Sequence, residues 1–313
     1  MLPDKFLERL AQVVPPERLP GVLASFAADK AVTIRVNSWR ARPEDVLAEL
    51  AAAGLTAHPV PGLHSAYRAA AADRDQLTRG APFSQGRLYV QNVSSLLAAP
   101  ALSVEPGMSV LDLAAAPGGK TLHLVDLMNN TGAIGAVESA RDRFFRLRHN
   151  LRLHGATCCR AYLKDGRRVG RACPDRFDRV LLDAPCSGEA QLRSFRDAHA
   201  PNWSVRKIGQ CAGKQRALLL SAVAACRPGG VVVYCTCSTA PEENEAVVAS
   251  VLAECSGILE VEPVPLPPVA DPVAVPGLRA WAGREFPPDL TLTTRILPDD
   301  WFDAFFLCRL RKR

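Results

Sequence analysis

Two cysteine-bearing segments hold the densest set of chemically useful side chains in this chain of 313 residues. One reads Asp183-Ala184-Pro185-Cys186-Ser187-Gly188-Glu189. The other reads Tyr234-Cys235-Thr236-Cys237-Ser238-Thr239, followed by Pro241-Glu242-Glu243-Asn244-Glu245. A thiolate is a strong nucleophile, but a thiol with an ordinary pKa of about 8.5 needs positive charge or hydrogen bonds nearby to become one. Each segment follows an apolar run, so each thiol stands where a strand ends. Side chains two apart share a strand face, so periodicity leaves both Cys235 and Cys237 as candidates for the second thiol. Cysteines 158, 173, 211, 226, 255 and 308 read as inert packed thiols. No CxxC pair occurs and no His follows at zinc spacing, so no metal site is expected.

A third segment, Leu111-Asp112-Leu113-Ala114-Ala115-Ala116-Pro117-Gly118-Gly119-Lys120-Thr121, leaves an apolar run and opens a helical one. Gly118 and Gly119 let a ligand approach the backbone, and the N–H groups of a helix start favour a carboxylate or phosphate. Glu138 ends the next strand, where an acid accepts from ribose hydroxyls. Asp165 follows the third strand, placed for an adenine amino group, and Asp183 follows the fourth. Gly119-Lys120-Thr121 also matches the end of the phosphate-binding pattern G-x-x-x-x-G-K-[ST]. Ala114 stands where its first glycine belongs, and Ala115, Ala116 and Pro117 make a poor phosphate cradle. A nucleotide-like cofactor other than ATP or GTP fits better.

The elements that must position these residues read as follows. Residues 1–30 form two short helices broken at Pro15-Pro16. Strands at 31–36 and 57–60 flank a helix over 43–53 that Gly54 closes, making a small α/β unit. Segment 61–90 is loop-rich, and 91–99 is a helix. From 108 onward strands and helices alternate: strands at 108–113, 133–137, 156–162, 177–182 and 231–235, helices at 118–128, 140–153 and 208–226. Pro228-Gly229-Gly230 ends the last of these helices. A helix over 242–252 and a final strand over 302–310 complete the pattern. Apolar strands joined by helices indicate a parallel sheet covered on both faces, with its ligand outside the carboxyl ends of the strands. The division is a domain of residues 1–103 and one of 104–313, with the Pro-rich stretch 264–290 as a surface excursion.

Composition fits an ordinary globular protein, 48% hydrophobic and 22% charged, and excludes fibrous and wholly disordered classes. No apolar run is long enough to span a bilayer, and the charged N-terminus does not resemble a signal peptide. A cytoplasmic, monomeric protein with reduced cysteines is expected. The net charge of +6 is unevenly placed. Arg141, Arg143, Arg146, Arg148 and Arg152 form one cluster. Arg160, Lys164, Arg167, Arg168 and Arg171 form a second, and Arg193, Arg196, Arg206, Lys207, Lys214 and Arg216 a third. Beside a candidate active site, these point to a polyanionic partner.

AAPGGKT, DAPCSGE and YCTCST with its following EENE, in this order, resemble the RNA (cytosine-5) methyltransferases of the RsmB/RsmF and NOL/NOP/Sun type. TIRVN and Tyr89–Ser95 (YVQNVSS) are similar to that family's small N-terminal domain and linker. The resemblance covers roughly residues 30–255. It implies a Rossmann-like class I fold with a mostly parallel, seven-stranded sheet beside a small N-terminal α/β domain. It implies S-adenosylmethionine held by Ala115, Ala116, Pro117, Gly118, Gly119, Lys120 and Thr121 with Glu138, Asp165 and Asp183. Cys237 would be the nucleophile toward cytosine C6 and Cys186 would assist product release, with Lys120 and Asp183 near the target base. DNA cytosine methyltransferases instead use the Pro-Cys cysteine as nucleophile.

RNA is the implied partner, ribosomal RNA of the small subunit first and transfer RNA second, with the RsmF-like branch favoured by Asn202-Trp203. Trp203 and Tyr234 are candidates for stacking on bases. A non-catalytic RNA-binding or assembly factor on the same fold is the alternative reading; retention of both cysteines, Lys120 and Asp183 weighs against it. The sequence departs from the family at Ala190, where glycine is usual, and at Ala114, where many relatives carry cysteine. With the sequence ending at Arg313, the extra C-terminal RNA-binding domain of some relatives is not expected.

Overall fold

The computed structural model describes residues 2–192 and 203–313. Arg193, Arg196 and Asn202 therefore lie outside the described residues. In the N-terminal part, α1 (Asp4–Val13) and α2 (Leu19–Ser25) precede β1 (Val32–Val36), α3 (Pro43–Ala52), β2 (Ala57–Pro59) and β3 (Ala66–Ala69). The short α4 (Arg74–Arg79) and α5 (Ala81–Ser84) lead to β4 (Leu88–Val90). Among the described residues these strands form an antiparallel sheet in the order β2-β3-β1-β4. Segment 61–90, read as loop-rich, thus supplies two of its strands. Helix α3 ends on schedule, with Gly54 at φ +79° just past its C-terminus.

Val32, Ile34 and Val36 are fully buried, and so are Thr33 and Arg35 on the alternate face. The second face of β1 is closed by the rest of the chain, which is why its pattern reads as a run without alternation.

The expected single helix over 91–99 is instead two pieces, α6 (Val93–Leu96) and α7 (Ala98–Ala101). Asn92 sets the start, since its Oδ1 accepts from the Ser94 backbone N–H at 2.8 Å. Gln91 consequently stays outside the helix.

The remaining elements are β5 (Ser109–Asp112), α8 (Gly119–Leu127), β6 (Ala133–Glu138), α9 (Arg141–Leu153), β7 (Cys159–Leu163), α10 (Val169–Ala172) and β8 (Phe177–Asp183). They continue with α11 (Val205–Ala225), β9 (Cys226–Thr236), α12 (Glu245–Glu254), β10 (Leu259–Glu262), β11 (Ala274–Pro276), β12 (Ala280–Trp281), β13 (Arg284–Glu285), β14 (Thr294–Ile296) and β15 (Phe305–Lys312). Along the sheet the order is β11-β14-β15-β9-β8-β5-β6-β7, with β10 pairing β15, nine strands among the described residues rather than seven. The five strands β7-β6-β5-β8-β9 run parallel, and the four beyond β9 run antiparallel. The order of strand addition reverses between β5 and β8, and such a switch opens a crevice at the carboxyl edge.

Two sequence expectations change. Helix α11 ends at Ala225, and Pro228-Gly229-Gly230 belongs to β9. Cys226 pairs with Phe177 and Val231 with Arg179, so the intervening residues bulge, with Gly229 at φ +76°. The stretch 264–290 is no surface excursion. Ala270, Val273, Phe286 and Leu290 are buried, and β11 extends the main sheet, because enough apolar residues sit between the prolines to pack.

Apolar side chains fill both sides of the sheet, Leu122, Val125 and Leu147 on one and Leu219, Ala222 and Val248 on the other. The two parts of the chain join through buried polar contacts. Arg35 on β1 pairs with Asp126 on α8 at 3.3 Å, both about 2% exposed or less. Trp301 Nε1 donates to Thr33 Oγ1 at 2.8 Å, and Trp39 Nε1 to the His154 carbonyl at 2.9 Å.

Candidate active site

Parallel pairing of β8 with β9 sets Asp183 opposite Cys235, and the Ala184 N–H donates to the Cys235 carbonyl at 2.9 Å. The two chains therefore leave the sheet side by side. Cys186 and Cys237 are brought together, their sulfurs 2.7 Å apart. Burial separates the two candidates that periodicity left open. Cys235 is fully buried with its thiol toward Asp183 Oδ1 at 3.7 Å, whereas Cys237 is partly exposed. The hydrogen bond to Cys237, together with burial, pushes the Cys186 thiol well above its ordinary pKa. Cys186 therefore keeps its proton, and either sulfur can donate in this contact.

Lys120 Nζ pairs with Asp183 Oδ2 at 2.7 Å and stands over the Phe305 ring at 5.3 Å. Burial works against this ammonium, yet Asp183 and the Cys235 and Cys237 sulfurs outweigh it and raise its pKa. Lys120 is thus a permanent cation beside the thiols.

Two buried carboxylates hold the cysteine loops. Glu243, fully buried, accepts from the Ser187 N–H at 2.8 Å, the Ser238 hydroxyl at 2.7 Å and Gln215 Nε2 at 2.9 Å. Glu189 accepts from the Thr239 N–H at 2.9 Å and from Trp203 Nε1 at 2.8 Å. Ser187 follows Cys186 and Ser238 follows Cys237, so each thiol is one residue from a fixed point. The Ala190 N–H, at the family's departure, donates to the Cys237 carbonyl at 3.1 Å.

Of the two candidates for stacking, Tyr234 is enclosed by the fold. Tyr234 is fully buried and its hydroxyl donates to the Glu243 carbonyl, while Trp203 packs edge-on to Phe6 at 5.7 Å and is tied to Glu189. Both serve packing.

The loop after β5 carries the cofactor features. Gly118 adopts φ +112°, a conformation that side chains rarely tolerate, and caps α8. A Cβ on Gly119 would stand 3.0 Å from the Tyr89 ring. A cavity of about 220 Å³ is lined by Ala115, Ala116, Pro117, Gly119, Lys120 and Asp183, along with Asp112 and residues 89–92 of the linker. Thr121 does not line it; its hydroxyl donates to Asp112 Oδ2 at 2.6 Å.

Glu138, buried at the end of β6, accepts from the Ala140 N–H at 2.8 Å, with Arg143 3.6 Å away. Asp165, after β7, is bound to Arg167 at 2.7 Å, which holds its carboxyl below the usual range. It lines a separate groove of about 650 Å³ with Tyr162 and Lys164.

Sequence reasoning passed over Asp112, Glu189, Glu243 and Gln91 as functional residues. Asp112 ends β5 as Glu138 ends β6, and the same strand-end rule finds it. Burial pushes its pKa up to about 7, and its Oδ1 is buried without a partner among the described residues. An orphaned acceptor, a left-handed glycine and an open backbone loop fit S-adenosylmethionine, whose amino-acid end carries an ammonium donor.

A family model described as 16S rRNA methyltransferase RsmB/F matches residues 99–311, and one described as the ferredoxin-like domain of RsmF/B-like methyltransferases matches residues 2–71. A ribosomal RNA small subunit methyltransferase F of Citrobacter koseri is 36% identical over 319 aligned residues, covering 99% of this chain and 63% of that protein. One of Escherichia coli is 38% identical, covering 78% and 52%. The chain spans less than two-thirds of the length of these relatives. A methyltransferase homologue from Pyrococcus horikoshii superposes with TM-score 0.82 at 28% identity, over 99% of this chain and 95% of that one. NSun6 of the same organism, crystallised with SFG, superposes with TM-score 0.80 at 20% identity over 99% and 98%, which shows the fold alone. With the motifs gathered at one sheet edge and the family model matching most of its length, the chain belongs to the RsmB/F family of 16S rRNA methyltransferases.

Proposed function

We propose that this protein methylates C5 of cytosine in structured RNA, with S-adenosylmethionine as methyl donor and small-subunit ribosomal RNA as first-choice substrate. Transfer RNA is the second choice. The contact of Cys186 with Cys237 beside the Lys120–Asp183 pair carries the reading. The curated relatives named for the small ribosomal subunit support the substrate class.

Cytosine C5 is too weak a nucleophile to be methylated unaided. The bound cofactor supplies an electrophilic methyl group on sulfonium sulfur. Cys237 thiolate forms a bond to C6, and the C5=C6 electron pair moves to C5, which then takes the methyl group. Asp183 and Lys120 hydrogen-bond the pyrimidine edge where negative charge develops. Loss of the C5 proton to water returns its electron pair to C5=C6 and expels Cys237. Cys186, holding its own proton, stabilises the departing thiolate.

The base must leave its stack to reach a sulfur set in this crevice, which favours loops and bulges. Arg141, Arg146, Arg148 and Arg152 are exposed on α9 and have no acidic partner among the described residues. Arg148, Arg152 and Arg160 line an open groove of about 620 Å³, suited to backbone phosphates. We place the protein in the cytoplasm as a monomer.

Incubation with labelled cofactor and total RNA, followed by nucleoside analysis, tests the reading and is expected to yield 5-methylcytosine. Cys237→Ser should abolish product, and Cys186→Ala should accumulate a denaturant-resistant protein–RNA adduct. An adduct that appears when Cys237 is replaced would reverse the two roles. Absence of any labelled pyrimidine would overturn the function.

A further inference from the structure

Gln91 occupies an unusual position. It follows β4 of the N-terminal sheet, and its backbone N–H donates to the Thr33 carbonyl at 2.9 Å. Its Nε2 donates to Ser95 Oγ at 3.2 Å, while its Oε1 is buried without a partner among the described residues. The side chain is 7% exposed and reaches the cofactor loop, where a Cβ on Gly119 would stand 3.5 Å from Oε1.

The cavity of about 220 Å³ that Gln91 lines also contains Asp112, whose Oδ1 is the second buried acceptor without a partner. Two orphaned acceptors in one small cavity suit a ligand rich in donors. Lys120 Nζ donates to Asp183 and to neither of these two oxygens. The cavity wall includes residues 114–117 of the cofactor loop, which seats an end of the cofactor beside these two oxygens. A primary ammonium, with three N–H groups, satisfies both oxygens.

We infer that Gln91 is a cofactor-binding residue whose Oε1, together with Asp112 Oδ1, accepts hydrogen bonds from the α-ammonium of S-adenosylmethionine. The inference rests on the methyltransferase reading and deepens it. The N-terminal part thereby completes the cofactor site in addition to any role in holding RNA. Cofactor affinity and the seating of that part on the catalytic sheet become linked.

Calorimetric titration of the full chain with S-adenosylhomocysteine, and with its analogues lacking the amino or the carboxyl group, tests this. Gln91→Leu should weaken S-adenosylhomocysteine about tenfold, the scale of a charge-assisted hydrogen bond, and leave the desamino analogue within about twofold. Gln91→Glu, which keeps an acceptor, should retain tight binding. Gln91→Met removes the acceptor at similar volume and should reproduce the Gln91→Leu pattern should that variant fold poorly. Equal loss for the parent and the desamino analogue overturns the inference. So does unchanged affinity for the parent, or a loss that spares only the decarboxylated analogue. A wild-type protein that binds no S-adenosylhomocysteine sinks the methyltransferase reading itself, whereas wild-type binding with an indifferent Gln91→Leu sinks only the assignment of Gln91.

Discussion

Glu243 holds Ser187 at two points, accepting from its backbone N–H through Oε1 and from its hydroxyl through Oε2. The same carboxylate takes the Ser238 hydroxyl, so one buried group fixes the residue after each reactive thiol. The separation of the two sulfurs is therefore set from beneath, by a residue that touches neither.

Glu243→Ala leaves the Ser187 N–H without an acceptor in a dry interior and Gln215 Nε2 with the Pro185 carbonyl alone. A cost of about 3 kcal/mol is expected in urea unfolding. Turnover should fall by about a hundredfold with little change in KM, since misplacing reacting groups costs rate more than binding. Glu243→Gln, with one oxygen retained, should fall between. A variant that loses stability alone would show that the thiols keep their spacing without it.

Asp112 makes stability depend on pH. Its carboxyl titrates at about 7 in the fold and at about 3.9 in an unfolded chain, so between those values the folded state binds more protons. Stability accordingly falls as pH rises from about 4 to 7, by up to about 4 kcal/mol, and then levels off. Asp112→Asn removes this slope. Thermal melts at pH 5 and pH 8 should differ more for the wild type than for the variant, and equal differences would refute the assignment.

The buried ion pair between Arg35 and Asp126 joins the two parts of the chain. Asp126→Ala strands a guanidinium that is 2% exposed, and should cost about 3–5 kcal/mol. Replacing both partners by apolar residues, as in Arg35→Met with Asp126→Leu, should recover most of that loss. Denaturant titration measures both, and a double variant no better than the single one would contradict the account.

Arg148, Arg152 and Arg160 form the open basic groove. Changing all three to alanine should weaken RNA binding at low salt. The slope of log affinity against log salt should become shallower by about 2–3, since each phosphate contact contributes about 0.7–0.9. An unchanged slope would place the RNA elsewhere.

The sequence alone determined the chemistry on offer. A glycine turn between an apolar strand and a helix, an acid at successive strand ends and two thiols after two buried strands are local patterns, written in spacing. The positions of α8, α9, β5 and β6 follow from the same periodicity, with errors of a residue or two. Tertiary structure decided what local spacing cannot express. Cys237 rather than Cys235 meets Cys186 because β8 and β9 pair in a register that no single strand encodes. Trp203 and Tyr234 were drawn into packing by α1 and Glu243, partners far away along the chain. The prolines of 264–290 concealed buried residues between them, and Gln91 looked like a helix position until Asn92 took the cap. Burial is a property of the whole chain, and burial sets which carboxylates, thiols and amides are left to act.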